Sequence, residues 1–236
     1  MGDWIWRYAK LIANIPAAIA SARLPNWARL VCVLLGIAIV CWFLLRQPEL
    51  ELPQLEAISP IDQIAFRSHW ELRFPEFRRY FEKFAEEQDV DWRLLSVIGY
   101  QESKWLEDAV SPTGVRGIMM LTRRTAKEVG VADRTDPGES IAGGAQYLRY
   151  LLRRAPTDLD ADEQTWFAVS AYNGGIGRLG KAYRKWRGST TATASWREFE
   201  SSMLNGNVDP LVRTAMLYTR RVRDYYHLAD WITKTE

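Results

Sequence analysis

Three short segments of this 236-residue chain carry residue types that could do chemistry on a polar substrate. The first is Tyr100-Gln101-Glu102-Ser103-Lys104-Trp105, where a carboxylate stands at the point an apolar helix gives way to polar sequence. A carboxyl group ringed by aromatics there is desolvated, and desolvation raises its pKa. A raised pKa keeps the proton in place near neutral pH, which a general acid needs. Alone, a glutamate near a helix C-terminus is most often solvated surface. The second segment runs from Ser111 to Leu121, Ser-Pro-Thr-Gly-Val-Arg-Gly-Ile-Met-Met-Leu. Its proline and two glycines describe a tight turn that can lay main-chain N–H and C=O groups against a ligand, or simply an ordinary helix connection. The third is Ser170-Ala171-Tyr172-Asn173-Gly174-Gly175, an apolar helix that stops at two glycines with a hydroxyl and an amide projecting from its end.

Helices must position all three. Phe74, Phe77, Phe81 and Phe84 recur at three- and four-residue spacing, as do Trp92, Leu95, Ile98 and Gly99, so each set marks one apolar helix face. Pro75 suits a first helical turn, and Asp91 suits the N-cap of the helix that runs to Glu102. Further helices are expected over 122–129, 139–154, 163–172, 196–204 and 210–231. No strand pattern and no internal repeat stand out. The expected fold class is mainly α, a single helical domain over 61–236. Gly143 and Gly144 interrupt one expected helix at about 1 kcal/mol each against alanine, which a close helix contact would offset. Asp162 and Glu163 fall at a helix N-terminus, where negative charge is favourable, and Glu107 and Asp108 read as surface acids.

Composition narrows the function classes. The chain is 47% hydrophobic and 25% charged, values of a folded protein. A net charge of only +2 gives no electrostatic footprint for nucleic acid. Eleven tryptophans suit a carbohydrate-facing surface, but core packing and membrane anchoring account for most of them. The two cysteines, Cys32 and Cys41, and the two histidines, His69 and His227, offer neither a disulfide framework nor a metal site, so no metal and no cofactor are expected.

The N-terminal region reads as an anchor. Residues 30–46 include an uncharged run, LVCVLLGIAIVCWFLL, that spans about 24 Å as a helix, against a hydrocarbon core of about 30 Å. Arg29 and Arg46 flank it and can snorkel to the headgroups. Arg7, Lys10, Arg23 and Arg29 precede it and acidic sequence follows, so the positive-inside rule keeps residues 1–29 cytoplasmic and sends the C-terminal domain across the membrane. Part of 1–29 is apolar enough to lie along the membrane as an amphipathic helix, though Pro16 interrupts it. Residues 47–60 form the linker. A cleaved signal peptide is the alternative, but no small-x-small site follows the apolar run.

Taken together, the three segments and a late Tyr218-to-Tyr225 stretch resemble the goose-lysozyme-like transglycosylase (SLT) domain of the family 1 lytic transglycosylases. That family carries Glu-Ser, then Ser-Pro-x-Gly-x-x-Gly-Leu-Met-Gln, then Ala-Tyr-Asn-x-Gly, then Tyr-Val-x-x-Val-x-x-Tyr. The matches are Glu102-Ser103, Ser111 through Met120, Ala171 through Gly175, and Tyr218 through Tyr225, in the family's order and spacing, over nearly all of 90–230. Met120 stands where soluble members have glutamine, and Thr219 where valine is usual; residues 110–122 are similar to the membrane-bound F-type branch, which also has methionine at that position. F-type members carry a solute-binding-like domain ahead of the catalytic one, for which this chain is too short.

The resemblance implies a bacterial inner-membrane enzyme, its catalytic domain periplasmic, acting on peptidoglycan glycan strands. Glu102 would be its single acid/base. It would cleave the bond between N-acetylmuramic acid and N-acetylglucosamine, with closure of a 1,6-anhydro ring on the muramyl residue. Ser111, Gly117, Met120, Tyr172, Asn173 and Tyr218 would bind substrate or hold the glutamate. A hydrolytic muramidase on the same fold, and a non-catalytic peptidoglycan-binding scaffold, are the rival readings.

Overall fold

The computed structural model describes residues 55–235 except 192, together with the isolated positions 25, 31 and 35. The expected membrane span at 30–46, the segment 1–29 and most of the linker 47–60 lie outside the described residues. Among the described residues no helix is long and apolar enough to cross a membrane. Residues 53–234 form one compact unit; the other unit, residues 1–52 with the last two residues, is almost wholly outside the described set.

Nine helices are described: α1 (Pro60–Leu72), α2 (Phe74–Gln88), α3 (Trp92–Ser103), α4 (Arg123–Glu128), α5 (Pro137–Leu152), α6 (Ala161–Gly174), α7 (Ile176–Arg187), α8 (Trp196–Asn205) and α9 (Pro210–Thr235). Only two isolated bridges, Val110 with Arg116 and Arg116 with Leu121, represent extended pairing among the described residues. The mainly α expectation therefore holds.

Local sequence explains where the helices begin. Ser59 and Asp62 close a capping box on α1. Pro75 occupies the first turn of α2, as its fixed φ favours. Asp91 caps α3 by accepting from Arg93 N at 2.8 Å. Asp160 caps α6 by accepting from Glu163 N, so Asp162 and Glu163 do fall in its first turn. Two helices were not legible. α1 has no clean apolar repeat, with Ile61, Ile64 and Leu72 exposed. α7 starts directly after the Gly174-Gly175 stop, so the glycines mark a change of direction between two helices.

α5 lies at the centre, packed against α2, α3 and α6. Beside α3, an aromatic core gathers Phe66, Trp70, Phe74, Phe81, Tyr100, Trp105 and Tyr225, all buried. Tyr100 meets Phe66 at 4.6 Å, Trp105 at 4.7 Å and Tyr225 at 5.0 Å between ring centroids. Each fully buried ring of this size contributes about 1.5–3 kcal/mol through area removed from water. The buried Trp105 indole donates to Ser96 O at 2.8 Å, so its polar atom is satisfied. Trp70, Trp105 and Trp196 thus serve the core.

α9 is pinned to α3 by polar contacts. Tyr226 Oη donates to Asp91 Oδ2 at 2.8 Å, and Arg93 bridges Asp91 and Asp230, each at 2.9 Å. These contacts fix the register in which α9 presents its tyrosines to the end of α3. Glycines 143 and 144 fulfil the close-contact expectation with a different partner. A Cβ at Gly143 would stand 2.4 Å from Val131 Cγ2, and one at Gly144 would stand 2.6 Å from Met119 Cε. The tight approach is to the Ser111–Leu121 loop and its surroundings rather than to another helix, so the two glycines let that loop sit down on α5.

Candidate active site

The C-terminal end of α3 delivers Glu102 from the aromatic core toward solvent. Lys104 ends the helix in the left-handed region at φ 59°, which turns the chain away immediately after the carboxylate. Glu102 Oε1 accepts from Tyr218 Oη of α9 at 2.7 Å. Burial pushes the Glu102 carboxyl up to about 7, against the opposing pull of the Tyr218 hydrogen bond and the Lys104 charge. Near neutral pH the group is thus poised to give up a proton or take one back. The Tyr218 and Tyr172 hydroxyls are pushed well above their ordinary range by burial and by the nearby Glu102 charge, so both remain donors.

The Ser111–Leu121 loop is built from the backbone upward. Gly117 sits at φ 79°, and a Cβ there would fall 1.7 Å from Arg134 O, so only glycine fits. Ser103 ties the loop to α3, donating from its buried hydroxyl to Ile118 O at 2.9 Å. Met119 N donates to Ser140 Oγ of α5 at 3.2 Å, and Arg134 donates to Gly114 O and Leu121 O, each at 2.9 Å. From α6, Tyr172 Oη donates to Met119 O at 3.1 Å. The loop is thereby held to three helices, with Met120 left half-buried in the left-handed region at φ 46°.

An open cleft of about 250 Å³ lies along this construction. Met120, Thr125, Tyr147, Tyr172, Asn173 and Arg178 are among its lining residues, and no Asp or Glu is. A polar floor of hydroxyl, amide and backbone with an apolar methionine wall suits a saccharide, which presents hydroxyls at its edges and C–H groups on its faces.

The structure brings Glu102, Met120, Tyr172, Asn173 and Tyr218 to one place, and Gly117 shapes the loop without touching the cleft. Ser111 makes no hydrogen bond to this group among the described residues. Its hydroxyl pairs with Thr113 Oγ1 at 3.0 Å and accepts from Val115 N at 3.2 Å, serving the loop's own turn. Glu107 and Asp108 are exposed, as expected of surface acids. Sequence reasoning missed Ser103, Tyr147 and Arg178. Ser103 was visible as half of the Glu-Ser pair. Tyr147, whose ring meets Tyr172 at 5.2 Å, and Arg178, which donates to Gly174 O at 2.8 Å, carry no signal at their positions in the chain.

The structure is thus a mainly helical domain with one raised, protonatable carboxyl at the end of a core helix. Residues 79–195 match the family described as Transglycosylase SLT domain, and the chain carries an SLT domain. Among curated proteins it is 44% identical over 180 residues to membrane-bound lytic murein transglycosylase F 1 of Alkalilimnicola ehrlichii, covering 72% of this chain and 36% of that one. It is 36% identical over 192 residues to membrane-bound lytic murein transglycosylase F of Marinobacter nauticus, covering 77% and 38%. The chain thus spans little more than a third of the length of these relatives. Among solved structures, an inactive mutant of lytic transglycosylase Slt from Pseudomonas aeruginosa matches with a TM-score of 0.52 at 21% identity, covering 70% of this chain and 26% of that one. The 70 kDa soluble lytic transglycosylase of Escherichia coli matches with a TM-score of 0.50 at 21% identity, covering 66% and 24%. These two likenesses establish the fold.

Proposed function

We propose that this chain is a peptidoglycan lytic transglycosylase with Glu102 as its only acid/base. The observation that carries the reading is the Glu102 carboxyl, raised to about 7, held by Tyr218 and next to Tyr172, which lines a cleft that has no Asp or Glu in its lining. Most glycosidases place two carboxylates across the scissile bond, one as acid and one as base or nucleophile. With one carboxylate, the same group must act twice. Protonated Glu102 gives its proton to the oxygen between N-acetylmuramic acid and N-acetylglucosamine as the C1–O bond breaks. The resulting carboxylate then takes the proton of the muramyl C6 hydroxyl as that oxygen bonds to C1. The 1,6-anhydro ring closes, no water is consumed, and Glu102 ends protonated. A pKa near the working pH serves both halves of this cycle. Tyr218 steadies the carboxylate between them, Tyr172 holds the Met119 carbonyl, and Asn173 and Met120 meet the sugar.

In this reading, residues 1–29 are cytoplasmic, 30–46 span the bacterial inner membrane, 47–60 are the linker, and 61–236 work in the periplasm as the lysozyme-like domain. The uncharged run and its flanking arginines support that arrangement, and the relatives are named as membrane-bound. A reporter fused after Glu236 that is active only in the cytoplasm would refute the orientation.

The deciding experiment digests purified peptidoglycan with the full chain in mild detergent, beside Glu102→Gln, and reads the products by mass spectrometry. Muropeptides ending in 1,6-anhydromuramic acid, made by the wild type and not by the variant, are expected. Reducing-end products would replace this reading with a hydrolase, and no cleavage by a folded wild type with a scaffold.

A further inference from the structure

A second polar cluster adjoins Glu102 and has no part in the proton transfers above. Lys104 extends its ammonium over two buried rings, 4.2 Å from the Tyr100 centroid and 5.1 Å from that of Tyr225. Among the described residues no carboxylate stands within 4 Å of it. Arg221 of α9 is next to it, donating to Tyr225 Oη at 3.3 Å and to Gln101 Oε1 at 3.4 Å. Arg73 reaches the same helix end and donates to Lys104 O at 3.3 Å. His69, bonded to the Tyr100 hydroxyl at 3.1 Å, is held below its ordinary pKa by burial and by Arg73 and Lys104, so it favours its neutral form.

Two acids face Lys104: Glu102, whose carboxyl burial keeps protonated up to about pH 7, and Asp62, which is largely committed elsewhere. Its Oδ2 accepts from Ser59 N at 3.3 Å and pairs with Ser59 Oγ at 3.1 Å in the α1 capping box, and it reaches Arg221 only at 3.8 Å. A half-buried ammonium with cation–π contacts and no carboxylate within 4 Å is an expensive arrangement unless something anionic completes it. Burial holds the Lys104 ammonium down to about 8, so it is still charged near neutral pH.

The cluster is aligned with the candidate acid. Tyr218, Arg221 and Tyr225 fall three and four residues apart on α9 and so share one face. Tyr218 holds Glu102, and Tyr225 lies under Lys104. The cationic group therefore begins one turn along α9 from the carboxylate and ends at two turns, about 10 Å away.

We infer that Lys104 and Arg221 form an anion subsite that binds a carboxylate of the peptide carried by the muramic acid next to the scissile bond. The inference rests on the transglycosylase reading and adds substrate selection to it. A free carboxylate on a flexible peptide, at a distance of one to two helical turns, supplies the counterion that the fold leaves out. The guanidinium and ammonium donate to it from two sides, and the tyrosine rings keep the ammonium from swinging into water.

The test uses the full chain in mild detergent and two substrates: native peptidoglycan, and the same material with its peptide carboxylates converted to methylamides by carbodiimide and methylamine. The initial rate of 1,6-anhydromuropeptide release is measured at low substrate. The wild type should favour the native material by about tenfold, the worth of one charge-assisted contact, expressed in KM. In Lys104→Met and in Arg221→Gln the native-to-amidated ratio should fall toward one, and Lys104→Arg should restore it. A change in Glu102 acidity caused by losing a neighbouring charge acts on both substrates equally and leaves the ratio alone. A wild-type ratio near one, or a preference that survives both substitutions in folded protein, overturns the subsite. Absence of anhydro products from either substrate with the wild type overturns the transglycosylase reading instead, and the subsite with it.

Discussion

Removing the Glu102 carboxyl should stabilise the folded domain in alkaline solution and do little in acid. Burial raises this group in the folded state from 4.5 to about 7. A group whose folded pKa lies above its unfolded one contributes stability that is fully present below pH 4.5 and is lost as pH rises through 7. The difference of about 2.5 pH units sets an upper limit of about 3 kcal/mol, and relaxation of a carboxylate at the edge of a cleft reduces it to about 1–3 kcal/mol. Glutamine keeps an oxygen that can accept from Tyr218 Oη, so Glu102→Gln removes the titration while leaving the hydrogen bond possible. For a domain of this size that is roughly 2–10 °C in Tm. The assay is thermal melting by circular dichroism of wild type and Glu102→Gln at pH 4.5 and 8.5. The variant should gain relative to the wild type between the two, and the double difference cancels every other titrating group. A double difference of zero, or a variant that loses ground at pH 8.5, would show that Glu102 is solvated and that the raised carboxyl on which the mechanism depends does not exist.

Tyr218→Phe removes the hydroxyl that favours the charged form of Glu102, so the alkaline limb of the kcat/KM profile should move up by about one to two pH units; an unmoved limb in an active variant would contradict the 2.7 Å contact. Gly117→Ala drives a Cβ into Arg134 O and should destabilise the domain by about 2–4 kcal/mol in urea melts, where a loss under about 0.5 kcal/mol would mean that the loop has an alternative path. Glu107→Gln alters an exposed acid outside the cleft lining and should leave activity within about twofold; a loss like that of Glu102→Gln would end the single-carboxylate account.

What the sequence determined by itself was mostly local. Asp91 and Pro75 announced their helix starts because capping and a fixed φ depend on neighbours a few residues away. The phenylalanines of α2 announced a buried face because helical period needs only a dozen residues to register. Glu102, Tyr172, Asn173 and Tyr218 were legible as motif residues, with Glu102 and Tyr218 separated by more than a hundred positions, because a familiar order of short segments stood in for their distance in space. Only the tertiary structure decided what those residues do to one another. The sequence led to the expectation of a desolvated Glu102 carboxyl, but its partner, the Tyr218 hydroxyl on α9, comes from the tertiary fold. Gly143 and Gly144 proved to seat a loop rather than a helix, and the Ser111 hydroxyl turned inward to its own turn, because a side chain's partner is set by packing and not by its segment. Lys104 carried no expectation from the sequence. It became an unpaired cation over two rings because Tyr225, from the far end of the chain, folds beneath it and Asp62 is already engaged at the cap of α1.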